Sequence, residues 1–235
     1  MSLDIQRAGE RGFAGHGWLE SRFSFSFADY LNPDRMGFGV LRVINDDRIM
    51  PGGIFNMHPH RDMEIVTIVT QGALEHNDSM GHRGILKAGE VQHMSAGSGI
   101  RHSEANAGSE VLELFQIWIY PKTKGITPVY RQKGFDTEYT RNRLGLLVSP
   151  DGAGASLPMH QDARLYRGIY DTDSSVNYQP SSPDHGIYLF VIEGEVHAPG
   201  ATLKRRDAAG IENPGTLTLD LKAGSDILLF DLPMQ

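Results

Sequence analysis

What most limits the fold of this chain is how short its apolar segments are. Glycine (27 residues) and proline (12) interrupt the sequence at close intervals. The pieces between them either alternate polar with apolar residues or form brief apolar runs. Arg22 to Phe27, RFSFSF, places Phe23, Phe25 and Phe27 at a period of two, the pattern of a strand with one face in a core. Gly39 to Ile44, Ile65 to Val69, Val111 to Ile119 and Tyr188 to Ile192 also read as strands. No segment sustains the 3.6-residue period of an amphipathic helix, so helices should be few and short. Many short strands between turn residues predict an all-β sandwich or barrel, of which the jelly roll is one closure.

At 235 residues the chain has room for one large β domain or two smaller ones. A weak internal repeat favours two. IVTIVTQGAL (Ile65 to Leu74) and GIYLFVIEGEV (Gly186 to Val196) share an apolar strand, a turn glycine (Gly72 and Gly194) and a second strand. LKAGE around Gly89 has an approximate counterpart in LKRRD ending at Asp207. The polar cluster Thr137 to Arg143 supplies a junction, which places one barrel in residues 1–136 and a second in 137–235.

The formal net charge of −7 argues against nucleic-acid contact, which calls for a basic face. No apolar run approaches the length of a membrane-spanning helix, and MSLDIQRAGERG lacks the apolar centre of a secretory leader. A cytoplasmic protein is expected, without membrane contact. The chain has no cysteine, so a bound metal must take nitrogen and oxygen ligands.

Against that background NMHPHRDMEIVT stands out. His58 and His60 are two residues apart, so on a strand they project to the same side. Pro59, which lacks a backbone donor, suits a strand start or edge. GSGIRHSEAN repeats the spacing with His102 and Glu104. An HxH pair alone fits surface chemistry as readily as ligation. Two such pairs on neighbouring strands would converge as three imidazoles and a carboxylate, a donor set for a first-row divalent ion with positions left for substrate or dioxygen.

The segments GHGWL, GFGVLRVINDD, HPHRDMEIVT, GALEHNDSMG, MSAGSGIRHSE and QIWIYP, in that order, resemble the pirins. These are bicupins, with two jelly-roll barrels in one chain. The likeness is dense over Arg7 to Asp162 and looser as far as FDLP near the C-terminus. Gly52, His58, His60 and Gly72 fit the first cupin motif, but Glu64 stands one residue too far from Gly72 to be its carboxylate. Gly89, Gly97, His102 and Asn106 fit the second motif, with Ser95 in place of proline and two extra residues before the histidine. Both departures match the pirin variant, in which the carboxylate follows the late histidine by two. The resemblance therefore implies His58, His60, His102 and Glu104 as ligands of one divalent ion. Iron(II) comes first, with manganese, cobalt, nickel, copper or zinc compatible with the same donors. Glu64 is left to a supporting hydrogen bond.

The resemblance also implies an activity, the oxygen-dependent ring opening of a flavonol such as quercetin with loss of carbon monoxide. Glu104 would then serve as catalytic base for the 3-hydroxyl proton. Its alternative is regulatory: a metal- and redox-sensing pirin that acts by contact with a transcription factor or a metabolic enzyme. Aligning Gly194 with Gly72 sets Pro180 and Ser182 where His58 and His60 stand, so the second barrel is expected to be metal-free.

Other residues divide between roles. His16 and Trp18 fit a cavity entrance or simple packing. His76 and Asp78 fit a hairpin turn better than the metal's surroundings. His93 has strand spacing and would face the cavity or the core. The three phenylalanines read as barrel core, Met57 and Met63 as an apolar wall beside the site, and Lys204 to Arg206 as a solvated turn. Arg101, adjacent to His102, should point away.

Overall fold

The computed structural model describes residues 2–234 and contains four antiparallel-dominated sheets arranged as two barrels. In the first barrel the larger sheet runs β12 (Val129–Gly134), β9 (Glu90–Ser95), β6 (Glu64–Gln71), β11 (Leu112–Ile119), β4 (Leu41–Ile49), β3 (Leu19–Phe23) and β2 (Gly12–Gly15). A smaller sheet faces it, in the order β5 (Ile54–His60), β10 (Ile100–Asn106), β7 (Ala73–Asp78) and β8 (Arg83–Lys87). The second barrel repeats the plan with a seven-stranded and a four-stranded sheet. The fold is the all-β bicupin expected from the sequence.

The apolar runs that hid their alternation belong to strands buried on both faces. In β11, Phe115, Ile117 and Ile119 join the core shared with Tyr188, Phe190 and Phe230 of the second barrel. Leu112 and Leu114 turn the other way, into the first barrel. Ile187, Leu189 and Val191 likewise fill the second barrel while Tyr188, Phe190 and Ile192 face the first. The two large sheets therefore pack back to back, and a period-2 pattern in which both faces are apolar reads as a continuous run.

The repeat survives in the backbone. Gly72 and Gly194 both adopt left-handed φ, +77° and +84°. Each packs so close to a neighbouring strand that an added Cβ would meet Leu112 or Ser225 at 3.1 or 2.6 Å. Gly89 and Arg206 share a left-handed φ, and in each copy the next acidic residue, Glu90 or Asp207, accepts the N–H of the lysine three residues earlier.

Sheet membership changes between β12 and the strand Gly145–Ser149, across a one-turn helix, Thr137–Thr140, capped by Asp136. The N-terminal end departs from the division at residue 136. Strand β1 (Ser2–Gln6) pairs with Ala208–Glu212 of the second barrel, because Leu3 and Ile5 pack on that barrel's apolar interior.

Lys204 to Arg206 also differs from expectation. Arg206 is half-buried between the barrels, 3.1 Å from Asp46 and over the Phe115 ring, so it ties the domains rather than solvating a turn. RFSFSF bends after Phe23: Phe25 enters the core between the barrels, whereas Phe23 and Phe27 line the first barrel's cavity.

Candidate metal centre

Antiparallel pairing of β5 with β10 sets His58 directly opposite His102 and His60 opposite Ile100. The ring centroids of His58, His60 and His102 stand 4.4 to 4.9 Å apart. Their ligand nitrogens lie within 4.8 Å of one another. The Nδ1–H of His58 donates to the carbonyl of Asn56 at 2.8 Å, which leaves Nε2 with the free lone pair. His102 is buried, and neither of its ring nitrogens has a hydrogen-bond partner.

Against β5 a β-bulge between His102 and Glu104 shifts the register and sets Glu104 opposite Phe55, while against β7 the register is unbroken and Glu104 lies opposite His76. Its carboxylate accepts a 2.7 Å bond from Gln116 and a longer one, 3.5 Å, from Gln92. The Gln116 amide is oriented in turn by the indole N–H of Trp118 at 3.3 Å. Glu104 stands 4.0 Å from Nδ1 of His102. It shares a 4.8 Å group with His102 and His76 rather than with all three predicted histidines. His102 is thus the member common to both groups.

Burial, then the neighbouring His58, pushes His60 down to about 4. Burial and the surrounding histidines push His102 down to about 2. Both rings are therefore neutral at physiological pH, the form that offers lone pairs to a cation. Burial pushes Glu104 up to about 7; the bonds from Gln92 and Gln116 oppose this, and the charge of Asp47 adds to it. A divalent cation among these groups would satisfy the unpartnered nitrogens of His102 and stabilise the Glu104 carboxylate, so the donor set fits such an ion.

The histidines sit in an open-mouthed cavity of about 450 Å³ between the two sheets. His16, Trp18, Phe23, Phe27, Phe55 and Trp118 supply its ring-bearing wall beside the histidine trio. Trp118 packs edge-on against both His60 and Phe27, and Trp18 against Phe55. Across the inner face of the large sheet runs a polar belt, with Gln92 opposite Thr67, Thr67 opposite Gln116, and Gln116 opposite Asn45. Asp47 and Ser21 pair in the adjoining row. The sequence reading passed over Gln92, Gln116, Asn45 and Asp47. Their signal is a polar side chain at an inward position of an otherwise apolar strand.

Several assignments change. His76 is not a turn residue: it is buried in β7, its ring 5.3 Å from His102 and stacked on Tyr130. Asp78 does shape the turn, accepting the N–H groups of Met80 and His82, and also holds the His76 and His82 rings. His93 faces away from the cavity. With Ser95 and the main-chain N–H of His160 it binds Glu64, forming a polar tie to the second barrel. Glu64 is accordingly remote from the histidine trio. Met57 is exposed and Met63 packs beside Ile65 and Met94, so neither walls the cavity. Arg101 points outward to the carbonyl of Met57. In the second barrel, among the described residues, no group of three ligating side chains occurs, and its centre is filled by aliphatic residues together with Tyr170.

The Pirin family model matches residues 5–119, and a model of the quercetinase C-terminal cupin domain matches residues 146–232. A quercetin 2,3-dioxygenase of Escherichia coli is 45% identical over 230 residues, covering 97% of this chain and 98% of that protein. A pirin-like protein of Caulobacter vibrioides is 41% identical, with 97% and 99% covered. The crystal structure of the bacterial pirin YhhW from Escherichia coli in complex with nickel(II) has a TM-score of 0.94 at 43% identity, covering the whole of both chains.

Proposed function

The chain belongs to the pirin family of bicupins, and from that membership we propose that it is a metal-dependent dioxygenase that opens the heterocycle of a flavonol such as quercetin. The observation that carries this reading is the convergence of His58, His60 and His102, the last with both ring nitrogens buried and unpartnered, on a cavity lined by aromatic side chains. The proposed ligands are these three residues and Glu104, and iron(II) is the first candidate ion. The nickel(II) complex of YhhW supports a divalent ion in general.

A bound divalent ion supplies Lewis acidity and a template for substrate and dioxygen. The protein's own groups do the rest. Neutral His60 and His102 offer lone pairs without a proton to expel, and the Asn56 carbonyl fixes the His58 tautomer. Glu104, buried and held by Gln116, accepts the flavonol 3-hydroxyl proton. Trp118, Phe27, Phe23 and Phe55 clamp a planar ring system and keep water out. Overall, one dioxygen is consumed, both its atoms enter the ring-opened ester, and one carbon leaves as carbon monoxide.

The test is anaerobic loading with iron(II), followed by quercetin in air, with oxygen uptake and carbon monoxide read together. Equal uptake and release are expected. Protein carrying its ion that gives neither would contradict the enzymatic reading and favour a role in regulation by protein contact.

A further inference from the structure

Adjacent carboxylates in β4 have opposite fates. Asp46 points toward the second barrel and is paired with Arg11 at 3.2 Å and Arg206 at 3.1 Å. Asp47 points into the cavity, is 3% exposed, and forms no ion pair among the described residues; its side chain receives one hydrogen bond, from the Ser21 hydroxyl. Two residues earlier on the same inward row, Asn45 is 5% exposed and its Oδ1 has no partner. Buried acceptors left this way are costly unless something binds them. All three belong to the large sheet, and the histidine trio to the small one that faces it. Asn45 ends the polar belt of Gln92, Thr67 and Gln116, whose Gln116 amide is already engaged with Glu104, and the cavity wall also carries the aromatic side chains of Trp18, Phe23, Phe27 and Phe55.

We propose that Asp47, Asn45 and Ser21 form a hydroxyl-recognising subsite, selecting aromatic substrates that carry a second phenolic hydroxyl besides the one delivered to the histidines. This rests on the flavonol reading above and adds to it the part of the substrate that is read. Asp47 accepts the phenolic O–H, Ser21 holds the carboxylate in its rotamer, and the Asn45 Oδ1 is a second acceptor beside it. An aromatic lacking that hydroxyl leaves these acceptors dry, which is how a buried polar site rejects an analogue.

The experiment is an anaerobic titration of metal-loaded protein with quercetin and with 3-hydroxyflavone, which lacks the additional hydroxyls. Quenching of Trp18 and Trp118, both in the cavity wall, reports binding. Wild type should prefer quercetin by about tenfold or more. In Asp47→Ala the preference should collapse toward unity through weaker quercetin binding, with 3-hydroxyflavone still bound and metal still retained. Asp47→Asn, which keeps the shape and a neutral acceptor, should fall between the two and decides the matter if the alanine variant does not fold. An unchanged preference in these variants, with wild-type turnover intact, overturns the subsite and leaves the dioxygenase reading standing. Wild type that binds neither flavonol overturns both.

Discussion

Asp47→Asn should make the protein more stable, and increasingly so as pH rises. The wild-type carboxyl is almost wholly buried with one hydroxyl for company, and burial, opposed by the Ser21 bond, pushes it from the ordinary 3.8 up to about 7. Between those values the native state holds a proton that the unfolded chain has released, so stability falls as pH rises through the interval and levels off above it. At 1.36 kcal/mol per pH unit the whole interval corresponds to about 4 kcal/mol, of which about 3 kcal/mol falls between pH 5 and pH 8. The asparagine variant does not titrate there. Glu104 titrates in both proteins, and loss of the Asp47 charge eases its ionisation in the variant, which moves the difference in the same direction. Urea unfolding of chelator-treated protein at pH 5, 6, 7 and 8 should therefore show the stability difference moving by about 3 kcal/mol in the variant's favour. Parallel pH profiles for the two proteins would refute the reasoning. A group that binding requires and folding resists is the usual trade of stability for function.

Two further outcomes follow from the contacts. Gln116→Leu removes the 2.7 Å bond that orients Glu104 and should weaken divalent-ion affinity by roughly 10- to 100-fold, read by competition with a chromophoric chelator. For Glu64, burial pushes the carboxyl up, but His93, the His160 N–H and Ser95 outweigh it and hold the group below its ordinary value. Its contribution is thus present above the ordinary 4.5 and lost as pH falls. Glu64→Gln should cost about 2 kcal/mol at pH 7, with the deficit shrinking under acid, measured by urea unfolding.

The fold was largely legible because turn glycines and strand periodicity are local. RFSFSF misled because period two assumes a straight strand, whereas β3 ends at Phe23 and the chain bends at Ser24 and Phe25. His93 and Gln92 are neighbours on a strand buried on both sides, and alternation alone does not say which side is cavity and which is inter-barrel core. The pairing of β1 with Ala208–Glu212 joins residues about 200 positions apart, beyond any local signal. The i, i+2 spacing of His58 and His60 and of His102 and Glu104 was readable. Their relative placement was not, because the bulge between His102 and Glu104 against β5, and the pairing of Glu104 with His76 of β7, are properties of strand pairing. Arg206 misled for a similar reason: its carboxylate partner lies in the other barrel.

The most direct test of the account is metal content. Wild type, His58→Ala, His60→Ala, His102→Ala and Glu104→Gln would each be loaded anaerobically with iron(II), desalted and analysed for bound metal. The account predicts about one ion per chain in wild type and substantial loss in all four variants. Full occupancy in the variants, or a wild-type chain that retains no ion, would contradict it.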